Sequence, residues 1–230
     1  MVHVRGGPRK ANIVSDPDSQ IPYWDAAAAT KTFTHPLHPP WLDGLSRRAA
    51  ILDYGCGYGR TMAELQRHGF ADLTGADTSP AMIERARNLH PTLHFTTLDA
   101  PPAWPSPHAA FDAVLLFAVL TCVPADEAQL RLITELHRIL KPGGILYLSD
   151  LLLQDDERNR RRYDRYGVFK TDDGAVCRHH SRAWLTTLLS GFDTLATRII
   201  AVPTMNGHES TGIQILARKP VVPSTAVPVR

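Results

Sequence analysis

Along this chain, short apolar runs alternate with segments whose apolar positions recur every three or four residues, the pattern of buried strands separated by amphipathic helices. The first run, Ala50, Ile51 and Leu52, ends in Asp53 and a glycine-rich turn. Residues 60–68 then place Met62, Ala63 and Leu65 on one helical side, and Gly69 suits the end of that helix because it accepts positive φ. A second strand follows over 73–77. Ser79 and Pro80 predict a helix start, with the hydroxyl capping the first turn and the proline presetting φ. Met82, Ile83, Ala86 and Leu89 supply its buried face. Residues 93–97 alternate as a strand does, and Pro101, Pro102, Pro105 and Pro107 predict a stiff loop after them. Residues 111–117, apolar at nearly every position, predict a strand in mid-sheet with both faces covered. A helix over 125–140, with Leu130, Ile133, Leu136 and Leu140 inward, is stopped by Lys141-Pro142-Gly143-Gly144 before a fifth strand at 145–150.

Strands and helices alternating through short connections predict an α/β fold, a doubly wound parallel sheet that binds its ligand at the carboxyl ends of the strands. Residues 151–180 break the rhythm with charge, the aromatics Tyr163, Tyr166 and Phe169, and the turn Asp172-Asp173-Gly174, and they predict a cover over the site. Ser181 then caps a helix carrying Trp184, Leu185, Leu188 and Leu189. Strands over 192–202 and 212–217 close the chain, joined by a loop at 203–209.

The richest signal for chemistry is Asp53-Tyr54-Gly55-Cys56-Gly57-Tyr58-Gly59, three glycines on alternate positions where a buried strand turns into a helix. Glycine permits positive φ there and leaves no Cβ between the backbone and a ligand. Asp77 closes the second strand eighteen residues after Gly59, and a carboxylate in that place suits a ribose diol because its two oxygens accept from both hydroxyls. The spacing is G-x-G-x-G, unlike the G-x-G-x-x-G of a dinucleotide site, which argues against a nicotinamide oxidoreductase.

This turn, together with Asp77, Leu98-Asp99-Ala100, the 111–116 strand and Leu136-His137-Arg138-Ile139-Leu140-Lys141-Pro142-Gly143-Gly144, resembles the class I S-adenosylmethionine-dependent methyltransferases, with five motifs in order between residues 49 and 150. The resemblance implies a Rossmann-like doubly wound sheet of seven strands with the last antiparallel, an N-terminal helical lid, and S-adenosylmethionine as cofactor. On it the chain divides into a flexible segment 1–18 and a methyltransferase domain 19–218, the latter comprising a lid (19–48), a cofactor core (49–150), a cover (151–180) and a C-terminal helix and strand pair (181–218). A flexible tail, 219–230, follows.

The resemblance also implies roles. Gly55, Gly57 and Gly59 offer backbone contact to the methionine part, Asp53 holds its ammonium directly or through water, and Asp77 takes the ribose. Thr78 and Met82 flank the adenine, Asp99 accepts from its amine, and Ala100 offers a backbone N–H to a ring nitrogen. Phe117 and Ala118 stand between donor and acceptor. Tyr23, Trp24, Lys31, Thr34 and His35 are candidates to seal the cofactor and bind its carboxylate. A plainer reading, in which Trp24 and Phe33 pack on the sheet edge and Lys31 is solvated, stays open beside it.

His179, His180 and His208 are the candidate catalytic proton acceptors, since imidazole takes a proton near neutral pH. Eleven histidines in the chain mean that most serve packing or surface. A metal site at Cys177, His179 and His180 is not expected, because adjacent histidines on an extended chain point to opposite sides.

Composition narrows the partners. Twenty-five Lys and Arg against 23 Asp and Glu lack the single-sign field of a protein that tracks phosphates, so no nucleic acid is expected. The run 155–162, acid followed by base, reads as a solvated helix with i, i+4 pairs. Three scattered cysteines fit a reducing cytoplasm, and no apolar run is long enough to span a bilayer, so no membrane is expected. The expected activity is methyl transfer by in-line displacement to a small-molecule substrate, in bacterial specialised metabolism, by a monomer or homodimer. An enzyme of this fold that consumes S-adenosylmethionine without methyl transfer is the alternative.

Overall fold

Helix α1 (Ile21–Ala27) and a short 3-10 turn at Pro39–Leu42 precede strand β1 (Ile51–Tyr54), which is buried at all four positions. The structure, a computed structural model, describes residues 20–105, 108–164, 167–205 and 207–221. The expected flexible segment 1–18, most of the tail, Pro107 and Tyr166 lie outside these residues. After β1 come α2 (Arg60–Arg67), β2 (Leu73–Asp77), α3 (Pro80–Leu89), β3 (His94–Thr97), β4 (Phe111–Phe117), α4 (Asp126–Ile139) and β5 (Leu140–Leu151). The cover consists of α5 (Glu157–Arg162) and the hairpin of β6 (Val168–Lys170) and β7 (Val176–Arg178). Helix α6 (Arg182–Leu188), β8 (Asp193–Pro203) and β9 (Glu209–Arg218) end the chain.

Seven strands form one sheet in the order β3-β2-β1-β4-β5-β9-β8. The first five are parallel, and β9 runs antiparallel between β5 and β8. Alternate residues of the central strands enter two apolar clusters: Leu52, Val114, Leu116 and Leu148 join Leu136 and Leu185, whereas Ile51, Leu115 and Tyr147 join Met62, Leu65 and Ile83. Helices therefore cover both faces, as a parallel sheet buried on each side requires. The chain leaves β1 toward β2 on one side and returns to β4 on the other, so a crevice opens at the carboxyl ends of β1 and β4.

Local capping follows the sequence: Ser79 accepts from Met82 N–H and Ser181 from Trp184 N–H, and Gly69 ends α2 at φ 87°. Three expectations are corrected. Leu89 is 52% exposed because it is the last residue of α3, with no following turn to shield it. Leu130 is 44% exposed because the buried face of α4 runs through Ala128, Leu132, Ile133, Leu136 and Ile139, and at 100° per residue Leu130 points away from it. Leu140 starts β5 rather than ending α4, and the Lys-Pro-Gly-Gly segment forms a bulge inside that strand, with Gly143 at φ 79°.

Candidate active site

Gly55, Gly57 and Gly59 all take positive φ, at 77°, 53° and 82°. What approaches them differs from expectation. A Cβ at Gly57 would lie 2.1 Å from the Phe33 ring, one at Gly55 2.3 Å from Val119, and one at Gly59 2.7 Å from Phe95. The missing side chains thus make room for protein groups, because close packing brings the lid and the segment after β4 onto the turn. The turn is also held from within: Gly55 and Cys56 N–H donate to the Ala76 carbonyl, and Gly57 N–H donates to Asp77 Oδ2 at 2.8 Å. Asp77 Oδ1 accepts from Ser79 N–H at 2.9 Å, so this carboxylate joins the ends of β1 and β2.

Asp53 lies beneath the turn, and its Oδ2 is buried without a hydrogen-bond partner. Burial pushes its carboxyl up to about 7, against the pull of the nearby Arg60 and with the push of Asp77. Arg60, which the sequence reading passed over, lines the cavity, donates to the His35 carbonyl and pairs with Glu64 at 3.3 Å. An arginine at the first position of a helix after a glycine turn was the available signal.

The lid is bound on several sides. Asp25 accepts from Ser79 Oγ at 2.6 Å and from Ala81 N–H at 3.2 Å, which ties α1 to the start of α3. Gln20 donates to the Cys122 and Val176 carbonyls and accepts from Val176 N–H. Tyr23 Oη and Lys31 Nζ both donate to Asp173 Oδ2, at 2.9 and 2.6 Å, so the lid meets the cover at the hairpin turn. Lys31 above all, with Thr171 helping, holds the Asp173 carboxyl down at about 2. Thr34 donates to the Pro203 carbonyl. His35 is buried, with Nδ1 2.9 Å from Ser149 Oγ, and burial lowers its basicity. Phe33 stacks on Tyr58, and Tyr58 lies under the Arg85 guanidinium.

Lid, turn and cover enclose a cavity of about 560 Å³. Trp24, Thr34, His35, Gly55, Asp77, Thr78, Met82, Phe117 and Ala118 line it, as do His179 and His208. Ala118 does so at φ 55°, a strained backbone for a residue with a Cβ. Tyr23, Lys31, Asp53, Gly57 and Gly59 are not among the residues that line it. Asp99 and Ala100 also fall outside it: both are exposed on the loop after β3, whereas Leu98 and Pro101 reach the wall.

The three histidines separate. His180 is 1% exposed and faces the core, where Gln129 Nε2 donates to its Nε2 at 2.8 Å and Trp184 Nε1 donates to Gln129 Oε1 at 2.6 Å. Its Nδ1 lies 3.4 Å from buried Asp150. It does not line the cavity, so its assignment as a proton acceptor there is withdrawn; alternation along the extended chain sends it opposite to His179. His179 does line the cavity, with Nδ1 2.7 Å from Tyr163 Oη, and burial pushes its ring down to about 3, helped by Arg162. His208 is exposed at the cavity mouth.

A doubly wound sheet with an inserted antiparallel strand, a G-x-G-x-G turn after β1 and an acid closing β2 place a site for a nucleoside-like ligand at the carboxyl ends of the strands. The methyltransferase domain family matches residues 51–144. Methyltransferase-like protein 27 of Homo sapiens is 41% identical over 47% of this chain and 43% of its own length. The ubiquinone biosynthesis O-methyltransferase of Xanthomonas oryzae pv. oryzae is 36% identical over 56% of each. A crystal structure of a SAM-dependent methyltransferase from Methanosarcina mazei superimposes with a TM-score of 0.75 and 25% identity, over 81% of this chain and 99% of that one. Residues 51–144 thus match a methyltransferase domain, the fold is that of a SAM-dependent methyltransferase, and the chain spans about half the length of the curated relatives it matches.

The site residues fit that cofactor. An unpartnered buried carboxylate oxygen on Asp53, an acid lining the cavity at Asp77, and a wall of Trp24, Thr78, Met82 and Leu98 suit an ammonium, a ribose diol and an adenine in turn. Among the described residues no helix is long and apolar enough to cross a membrane.

Proposed function

We propose that this protein transfers the methyl group of S-adenosylmethionine to a small molecule held in the roofed cavity, by direct in-line displacement. The observation that carries the reading is the enclosure itself: lid and cover join through Asp173, Tyr23 and Lys31 over a cavity of about 560 Å³, which suits an acceptor that enters whole rather than a macromolecular surface. The bound cofactor supplies an activated methyl on a sulfonium centre. The chain's own residues position and exclude water. Asp77, fixed by two backbone N–H groups at the cavity wall, faces the ribose; Asp53 and Arg60 set the charge under the turn; Phe117 and Ala118 form the wall where β4 ends.

A general base is not required of the cover histidine. A ring held down at about 3 stays neutral at physiological pH and is a poor acceptor of the proton that leaves the nucleophile. His208, at the exposed mouth, is the candidate that remains to take it. Bacterial specialised metabolism is the setting we infer for such an acceptor, and a monomer or homodimer in the cytoplasm is the form.

Incubation with methyl-labelled S-adenosylmethionine and a small-molecule library tests this. Label moved to a new product together with S-adenosylhomocysteine release is expected. Consumption of the donor with the label retained in donor-derived fragments would show the alternative chemistry instead.

A further inference from the structure

Helix α5 was read from the sequence as a solvated run of acid and base, and two of its arginines behave so: Arg161 pairs with Glu157, and Arg160 with Asp155 at 3.6 Å. Arg162 does not. It ends the helix half-buried and lines the cavity, with its guanidinium carbon 3.7 Å from the centre of the Phe169 ring. Among the described residues no carboxylate lies within ion-pair distance of it, and its Nε is buried without a hydrogen-bond partner. The cap residue Asp156, the acid whose charge reaches it, is engaged by the backbone and side chain of Asn159. A desolvated guanidinium that bonds the Tyr163 hydroxyl and has no carboxylate at ion-pair distance leaves a place for an anion.

A second group converges on the same ring. His179 packs edge-on to Phe169, with centroids 4.8 Å apart. The Tyr163 oxygen accepts from Gln154 N–H at 3.0 Å and from the Arg162 guanidinium, so both lone pairs are used and its own proton goes to His179 Nδ1 at 2.7 Å. That hydrogen bond leaves the imidazole proton on Nε2, the ring's other nitrogen, for which no protein partner is found among the described residues. His179 is thereby a donor toward the cavity rather than a base.

We propose that Arg162 and the Nε2–H of His179 hold a carboxylate of the methyl acceptor, so that the acceptor is a small carboxylic acid whose apolar body rests on Phe117, Val119 and Cys122. The carboxylate is an anchor and not the nucleophile, because pairing with a guanidinium draws off the charge that attack on a methyl carbon needs. The proposal rests on reading the cavity as a methyl-acceptor site.

The test uses the full chain saturated with S-adenosylhomocysteine and matched carboxylate and amide probes: benzoate and benzamide, cinnamate and cinnamamide, hexanoate and hexanamide, each titrated by ligand-observed NMR. A hydrogen-bonded charge of this kind gives carboxylates an advantage of about tenfold to a hundredfold over their amides. Arg162→Gln is expected to reduce that advantage to below about twofold while leaving S-adenosylhomocysteine affinity within about twofold of wild type, and Arg162→Lys to keep part of it. His179→Gln is expected to weaken carboxylate binding with the amides unaffected. Equal binding of carboxylates and amides, no carboxylate binding at all, or a preference that survives in Arg162→Gln overturns the proposal. So does a parallel loss of S-adenosylhomocysteine affinity in Arg162→Gln, since the cation then serves the cofactor. Should wild type not bind S-adenosylhomocysteine, the cofactor reading fails by itself, and the carboxylate preference measured on the free protein decides the Arg162 site separately.

Discussion

Asp53 gives the fold a pH dependence that can be isolated. Burial lifts its carboxyl to about 7 in the folded protein, from 3.8 for an unperturbed side chain. The folded state therefore holds the proton more tightly than the unfolded chain does. Its contribution to stability is complete below the unfolded value, falls as pH rises between the two, and is lost above about 7. Linkage with these two values gives a loss of about 2 kcal/mol between pH 5.5 and pH 8. Urea unfolding followed by circular dichroism at four pH values across that window measures it, with Asp53→Asn as the reference because the amide keeps the shape and does not titrate. Wild type is expected to weaken by about 2 kcal/mol relative to the variant. Saturating S-adenosylhomocysteine should shrink the difference, since its ammonium gives the ionised carboxylate a counter-charge. If wild type and variant lose stability in parallel, Asp53 is ionised throughout and the reasoning about its buried, unpartnered oxygen is wrong.

Asp77→Ala removes the acceptor for Gly57 N–H and Ser79 N–H, and calorimetry should find S-adenosylhomocysteine affinity lower by at least about tenfold, the lower end of a charge-assisted hydrogen bond. Gly57→Ala places a methyl against the Phe33 ring at a left-handed backbone, which alone costs about 1–2 kcal/mol. Its melting temperature should fall, and Phe33→Ala in the same chain should recover part of the loss; no recovery would mean that the lid does not press on the turn. Asp173→Asn weakens the lid-to-cover contact. Because those side chains are 17% and 36% exposed, the stability change should stay below about 1 kcal/mol, while stopped-flow release of S-adenosylhomocysteine should quicken. Unchanged release would rule out a latch.

The sheet was legible because its information is local. Apolar runs such as 111–117 can only be satisfied between two covered faces, and Ser79-Pro80 and Ser181 mark helix starts through their own backbone bonds. Legibility failed where the answer depended on which way a helix turns within the assembled layers. Leu130 satisfies an i, i+3 pattern with Ile133 and still points outward, because the buried face is set by Ala128, Leu132 and Leu136. The resemblance implied an adenine contact from Asp99, yet the cavity wall there is built by its neighbours Leu98 and Pro101.

The same distinction divides the site. The cofactor half is built at the ends of β1 and β2, adjacent strands in register from Ile51 against Leu73, so a fixed sequence spacing brings Gly57 and Asp77 within one hydrogen bond. Side chains from segments far apart in sequence meet in the other half. Asp173 meets Lys31 and Tyr23 across more than 140 residues, and Arg162 at the end of α5 and His179 just after β7 converge because each packs on the Phe169 ring. Within α5, burial rather than charge pattern separates Arg162 from Arg160 and Arg161: the last turn of the helix faces the hairpin, and the cation it carries there loses water without gaining a carboxylate. A solvated ion-pair helix and a helix that delivers one cation to a cavity have the same sequence signature. Only the placement of Phe169 against the guanidinium tells them apart.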